Sequence, residues 1–203
     1  PGLSTRVFAL GARVVFAPFP EAVAVLGSRA RLAGNPVRKS VRVSLEARGR
    51  AGRRSRRGPG FHVAVTGGSQ GAARLNSVMR DWIGSLSPRE KTYLRINWQT
   101  GVAEEAVCRA ALRRARISGA ARAFVGDMGS FFRSAALVIA RAGAMTLTEI
   151  SAVGRAAILV PLSTSAGDHQ ARNAAAFAGR GAATVLDERA ISVSALRAWV
   201  DRF

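Results

Sequence analysis

Residues 137–170 read LVIARAGAMTLTEISAVGRAAILVPLSTSAGDHQ and hold two strand-to-loop-to-helix passages in close succession. The first opens on Leu137-Val138-Ile139-Ala140, a short, β-branched apolar run suited to a buried strand of a parallel sheet. Arg141-Ala142-Gly143-Ala144 then turns the chain, with Gly143 free to take a positive φ, and Met145 to Val153 reads as a helix that Gly154 stops. A helix that starts at the carboxyl end of a strand points unpaired N–H groups and roughly +0.5 of a charge into the crevice where α/β proteins bind ligands. Such a site favours phosphate.

Glu149 falls in the first turns of that helix, where its carboxylate either steadies the helix N-terminus or accepts two hydrogen bonds from a ribose diol. The second passage repeats the design. Ala157 to Val160 is strand-like, Pro161 to Gly167 is loop, and Asp168 is a natural N-cap for a helix starting at His169-Gln170. Two polar helix starts after successive strands are expected side by side on one rim. His169 reads as an exposed helix-start residue ahead of any catalytic role.

Outward from this stretch the same alternation continues. Phe61 to Thr66 reads as a strand, Gly67-Gly68-Ser69-Gln70-Gly71 as a tight loop and Ala72 to Ser85 as a helix. Tyr93 to Trp98 is the next strand, Val102 to Arg116 a helix, and Ala121 to Val125 a strand closed by Gly126-Asp127-Met128. A short helix near Phe131 precedes the two passages, and Ala182 to Leu186 is a final strand. Alternating strands and helices imply an α/β fold with a parallel sheet covered on both faces.

The start of the chain gives an amphipathic helix over 1–12 after Gly2, with Val7, Phe8 and Leu10 as its apolar contacts. A strand over 13–17, a turn and short helix over 18–26, and a strand at Arg31-Leu32-Ala33 follow. These pieces are too few to enclose a core, and with the opening Pro-Gly they are expected to be the end of a preceding domain. The Arg-rich run RGRAGRRSRR at 48–57, with Gly58-Pro59-Gly60, is the best domain boundary.

The formal net charge is +19, and Lys39 and Lys91 are the only lysines among 31 basic residues. Arginine with abundant alanine and glycine points to a biased coding composition as well as to an anionic partner. The Arg-rich run lacks aromatic residues for base stacking, so a solvated linker is favoured over a nucleic-acid surface. Cys108 is the only cysteine, which leaves no internal disulfide and suggests a reducing compartment. No apolar run approaches the ~18 residues that cross a bilayer, and the N-terminus does not read as a signal peptide.

The Gly67–Gly71 loop follows a strand and opens a helix, so it either lets amides approach a phosphate or allows close helix–strand packing; Ser69 adds a hydroxyl there. No Gly-Lys-Ser/Thr follows, which excludes a P-loop, and the GGxxG spacing is a poor dinucleotide fingerprint. No histidine, cysteine or carboxylate cluster has metal-ligand spacing, so no metal is expected. No GxSxG elbow is present for a serine hydrolase.

Taken together, GNPVR at 34–38, GGSQGA at 67–72, WQTG at 98–101, DM at 127–128, RAGAMTLTE at 141–149 and HQARNA at 169–174 resemble the ordered motifs of the MurG family of bacterial glycosyltransferases. The resemblance implies a Rossmann-like sheet, the C-terminal domain of a GT-B glycosyltransferase, with a remnant of the N-terminal domain. It divides the chain into 1–37 as that acceptor-domain remnant, 38–60 as an Arg-rich interdomain linker, and 61–203 as a UDP-GlcNAc-binding domain incomplete at its end. The implied reaction moves N-acetylglucosamine from UDP-GlcNAc to lipid I, a direct inverting displacement with no metal and no cofactor. Another GT-B enzyme with a lipid acceptor would share the donor site; a basic nucleic-acid-binding module is the remaining alternative.

Residue by residue, the resemblance puts Arg38 at the domain junction in contact with the donor, Ser69 at the donor's phosphates, a backbone group of Val125 at the uracil, and Ala144, Met145, Thr146, Leu147 and Thr148 along the nucleotide. It puts Glu149 on the ribose hydroxyls and Gln170 on those of GlcNAc. The implied partners are UDP-GlcNAc, lipid I and, peripherally, the anionic cytoplasmic face of the bacterial plasma membrane; no nucleic acid is expected. The catalytic base would belong to the first half of the family's chain, so this polypeptide is expected to bind donor without turning it over. Ala156 stands where the family commonly has proline, and the Arg-rich run has no family counterpart.

Overall fold

The computed structural model describes residues 3–17, 20–42, 60–68, 71–164, 168–181 and 183–202. Ser69, Gln70 and the Arg-rich run at 48–57 lie outside the described residues. The chain divides into two compact units, Pro1–Val37 and Arg38–Phe203.

The first unit runs α1 (Leu3–Gly11), β1 (Val15–Ala17), α2 (Pro20–Leu26), a single 3-10 turn, and β2 (Ala30–Leu32). The two strands pair in parallel, Val15 opposite Ala30 and Ala17 opposite Leu32. Only Ala17 and Ala30 are buried there among the described residues, while Val7, Phe8 and Leu10 stand more than half exposed. Among the described residues these three side chains are thus mostly exposed, and the packing expected of them is not seen.

In the second unit come β3 (Phe61–Thr66), α3 (Ala73–Ser85), α4 (Pro88–Tyr93), β4 (Leu94–Gln99), α5 (Glu105–Ala115), β5 (Ser118–Arg122), α6 (Met128–Ser134), β6 (Leu137–Ala140), α7 (Ala144–Val153), β7 (Ala156–Leu159), α8 (His169–Ala178), β8 (Ala183–Val185) and α9 (Val193–Val200). The strands form one sheet in the order β5-β4-β3-β6-β7-β8, every pair parallel. This is the doubly wound order, whose direction of winding reverses between β3 and β6.

Strand side chains alternate between faces. One face carries Val63, Val65, Ile96, Trp98, Leu137, Ile139 and Ile158, packed with Leu75, Met79 and Trp82 of α3, Leu112 of α5 and Leu196 of α9 in one core. The other presents smaller residues, Ala64, Val138 and Ala157, and on its side Phe132, Leu147, Ile150 and Ala174 of α6, α7 and α8 are buried. Each large side chain so buried contributes roughly 1.5–3 kcal/mol before entropy.

Three elements differ from the sequence reading, β5, α4 and α9. β5 begins at Ser118, three residues before the expected Ala121, because Ser118 and Gly119 pair with Arg95 and Ile96 of β4: a Cβ at Gly119 would fall 1.9 Å from the carbonyl oxygen of Ile96. The strand can approach β4 this closely only with glycine there. α4 and α9 were not anticipated, although α4 has a full capping box between Ser87 and Glu90 with proline at its first turn.

Candidate functional site

The loops after β3, β6 and β7 emerge at one rim, the carboxyl ends of the strands. At the reversal, the amide of Arg141 donates to the carbonyl of Thr66 at 3.2 Å, tying the end of β6 to the end of β3. In the β3 loop, Gly67 and Gly71 are required by packing: a Cβ at Gly67 would meet Ala72 at 2.6 Å, and one at Gly71 the Thr100 carbonyl at 2.5 Å. Gly68, at φ +82°, faces open space, and its amide donates to Thr66 Oγ1 at 3.1 Å. The close-packing reading of the loop is met at Gly67 and Gly71, whereas the Gly68 amide, which a phosphate would need, is already donated to Thr66.

α7 starts without a side-chain cap, since its N-cap residue is Gly143. Gly143 sits at φ −67°, extended, so the positive φ expected of it is not used; the turn is made without it. The first amides of α7 then have no intrahelical acceptor. Met145 is exposed, Ala144, Thr146 and Thr148 are half-buried, and Leu147 faces the core, so only its backbone can reach a ligand. Thr148 donates its hydroxyl to the Ala144 carbonyl at 2.9 Å.

Glu149 is 1% exposed, and its Oε1 lies 3.2 Å from Nε of Arg38. That separation makes an ion pair, yet Oε1 accepts no aligned hydrogen bond among the described residues. The guanidinium is close but off the hydrogen-bonding line, so the pair is an electrostatic contact that leaves lone pairs on Oε1 unused. Burial pushes the Glu149 carboxyl above the ordinary range, against the opposing pull of the Arg38 charge and the Arg38 backbone amide.

α8 meets α7 at the same rim. Gln170 accepts the Leu162 amide on Oε1 at 3.0 Å, which leaves its NH2 group as a donor. Asn173 donates to the Ala142 carbonyl at 3.3 Å, joining α8 to the loop that feeds α7. Asp168 does not cap the helix as expected. It sits left-handed at φ 52°, whereas a capping side chain needs an extended backbone to reach back to the first amides. His169 is exposed.

Other rim residues carry structure that sequence reasoning missed. Gln99, 3% exposed, donates to Thr66 Oγ1 at 3.3 Å and accepts the Val125 amide at 3.0 Å, so Val125 spends its N–H inside the protein. Trp98, Gln99 and Thr100 of the WQTG motif are buried and serve as supports for the rim. Arg141 pairs with Glu188, whose other oxygen accepts the Ser163 amide at 2.8 Å, stitching together the loops after β6, β7 and β8. Glu188 is held at a pKa of about 2, chiefly by its hydrogen bond from Arg141. An acid 47 residues from its arginine gave no sequence signal.

A separate cavity of about 530 Å³, lined by Gly154, Arg155, Phe177, Arg180 and Trp199, opens at the opposite ends of β7 and β8 and contains none of the residues singled out at the rim. Among the described residues no cluster of His, Cys, Asp or Glu could hold a metal, and no helix is long and apolar enough to cross a membrane.

The rim therefore joins an uncapped helix start, a buried carboxylate with accepting capacity and an adjacent amide donor, the chemistry of an anionic ligand carrying a diol and a polyol. Residues 62–203 match the family model described as the glycosyltransferase family 28 C-terminal domain. The chain belongs to this family. Its family 28 domain has relatives named UDP-N-acetylglucosamine–N-acetylmuramyl-(pentapeptide) pyrophosphoryl-undecaprenol N-acetylglucosamine transferase. That of Paraburkholderia phymatum is 39% identical over 98% of this chain and 52% of its own length. That of Trichlorobacter lovleyi is 32% identical over 94% of this chain and 53% of its own. The chain thus spans about half the length of the curated relatives it matches. Among solved structures, MurG of Acinetobacter baumannii superposes on 99% of the chain, and 55% of its own, with a TM-score of 0.73 at 27% identity. The calicheamicin glycosyltransferase CalG4 shares the fold, with a TM-score of 0.61 at 15% identity over 94% of this chain and 43% of its own.

Proposed function

We propose that this family 28 chain is the donor-binding half of an enzyme that transfers N-acetylglucosamine from UDP-GlcNAc to lipid I, giving lipid II for peptidoglycan synthesis. The observation that carries this reading is Glu149 in the second turn of α7 beside Gln170 at the start of the neighbouring α8, one a buried acceptor for a diol and the other an amide donor. In this reading Glu149 takes the ribose hydroxyls, and Arg38, Ser69 and the first amides of α7 take the diphosphate. The backbone of Val125, met at its carbonyl because Gln99 holds its amide, faces the uracil. Gln170 reads the hydroxyls of GlcNAc.

The reaction is an inverting displacement. A sugar hydroxyl of the acceptor attacks the anomeric carbon, the bond from that carbon to the β-phosphate oxygen breaks, and UDP leaves with the electron pair. The hydroxyl is the nucleophile because the acceptor's diphosphate is already esterified at both ends. Negative charge grows on the leaving diphosphate, and backbone amides fixed at a helix start meet it without reorganising. Each such donor is worth ~3 kcal/mol of barrier. The proton goes to a base outside this chain's rim.

Residues 1–37 then belong to the acceptor-side domain, 38–60 to the linker and 61–203 to the donor domain. The complete enzyme acts peripherally at the cytoplasmic face of the membrane, where net positive charge is attracted to anionic lipid. Hydrogen exchange with and without UDP-GlcNAc tests the reading: protection is expected across 67–71, 144–149 and 168–173. Protection confined to the cavity lined by Phe177 and Trp199, or none, overturns it, and lipid II made by this chain alone would overturn the assignment of the base elsewhere.

A further inference from the structure

We propose that Arg38 is a positioning residue: its guanidinium holds Glu149 ionised and oriented in a buried seat, so that recognition of the ribose diol depends on a side chain that does not itself touch the sugar. This rests on the reading of Glu149 as the diol acceptor and adds to it what keeps that acceptor competent.

The geometry begins with the backbone. Arg38 is the first residue of the second unit and precedes a helical turn over 39–42. The amides of Val41 and Arg42 both donate to its carbonyl at 3.0 Å, and Val41 is fully buried, so the residue has a fixed seat. From there the side chain, 48% exposed, reaches Glu149, 1% exposed. One partner stays in contact with water while the other has lost it, an asymmetry that puts the electrostatic burden on the arginine.

Other charges do not share that burden. α7 has no second ionisable residue. From α6, Asp127 accepts the Ser130 amide and Arg133 donates to Ser130 Oγ; from α8, His169 and Arg172 are exposed. Arg38 is the charged residue whose field opposes the effect of burial on Glu149. Without the guanidinium, the carboxyl takes up a proton closer to neutral pH and becomes part donor, a poorer match for two hydroxyls that both donate. Oε1 lies close to Nε without an aligned hydrogen bond, so the contact with Arg38 does not use up its lone pairs.

The test uses the full chain and two probes, uridine and UDP, titrated by NMR from about pH 6 to about pH 8.5 in wild type, Arg38→Gln and Arg38→Lys. Uridine has the diol and the base but no phosphate, so a direct phosphate contact cannot influence it. We expect Arg38→Gln to bind uridine about tenfold more weakly near pH 7 and to recover as pH rises, Arg38→Lys to keep most of the affinity, and wild type to change little across the range. Equal uridine affinity in wild type and Arg38→Gln at every pH, with only UDP weakened, overturns the proposal. So does a loss that is independent of pH. If wild type binds uridine no better than adenosine and Glu149→Ala changes nothing, the donor-site reading itself has failed, whatever residue 38 does.

Discussion

The indole N–H of Trp98 donates to Oδ1 of Asn76 at 3.0 Å, in a core where the two residues are 1% and 0% exposed. Asn76 donates in turn to the Thr100 carbonyl at 2.9 Å, so one α3 side chain holds the end of β4 at two points. Asn76→Ala leaves a buried donor and a buried acceptor without partners, each costing about 1–3 kcal/mol. We expect a stability loss of about 2–4 kcal/mol in urea titration, with the Gly71 region loosened in hydrogen exchange.

Glu149 is expected to trade stability for binding. Its folded pKa is raised above the ordinary value by burial, so its favourable contribution is present at low pH and lost as pH rises through the folded value. At neutral pH the ionised, buried carboxylate therefore costs stability, even with Arg38 beside it. Glu149→Gln should melt higher at pH 7, by roughly a few degrees, with the advantage gone below about pH 4. Thermal melts across that range check this, and a lower melting temperature at pH 7 would contradict it.

The opposite sign holds for Glu188. Its folded pKa of about 2 lies below the ordinary value of 4.5, so its stabilisation is full above pH 4.5 and disappears as pH falls toward 2. The shift corresponds to on the order of 3 kcal/mol at neutral pH, consistent with a carboxylate only 11% exposed in its side chain. Glu188→Gln should remove much of the acid sensitivity in that window. Acid-unfolding curves that superimpose on wild type would rule this out.

Two glycines should respond in opposite directions to alanine. Gly71 has φ +79° and no room beside the Thr100 carbonyl, so Gly71→Ala should destabilise by about 2 kcal/mol or more and weaken donor binding. Gly84 lies exposed in α3 with nothing within 4 Å of a Cβ, and Gly84→Ala should stabilise by about 0.5–1 kcal/mol. Paired denaturant titrations of the two variants measure both effects.

Local signals carried much of this fold. The apolar run at 137–140 and the breaker at Gly154 placed β6 and the end of α7 because both depend on neighbouring residues alone, and Gly154 is left-handed at φ 62°. The start of β5 was illegible for the converse reason: glycine at 119 is explained only by the Ile96 carbonyl set against it from the neighbouring strand. Asp168 has the composition of a cap without the backbone for one. At the candidate site, the motif residues Gln99 and Asn173 turned out to bind loops of the protein itself, through hydrogen bonds to positions 26 and 31 residues away. Spacing along the chain does not record such contacts, and the same holds for Glu188 with Arg141.

At this rim Glu149 is expected to select a uridine nucleotide. Calorimetric titration of the chain with UDP and with ADP, repeated on Glu149→Ala, measures that directly. The prediction is saturable UDP binding, no comparable response to ADP, and a loss of about tenfold or more in Glu149→Ala, the worth of a hydrogen bond to a charged group. Equal binding of ADP, or UDP binding untouched by the loss of Glu149, would contradict it.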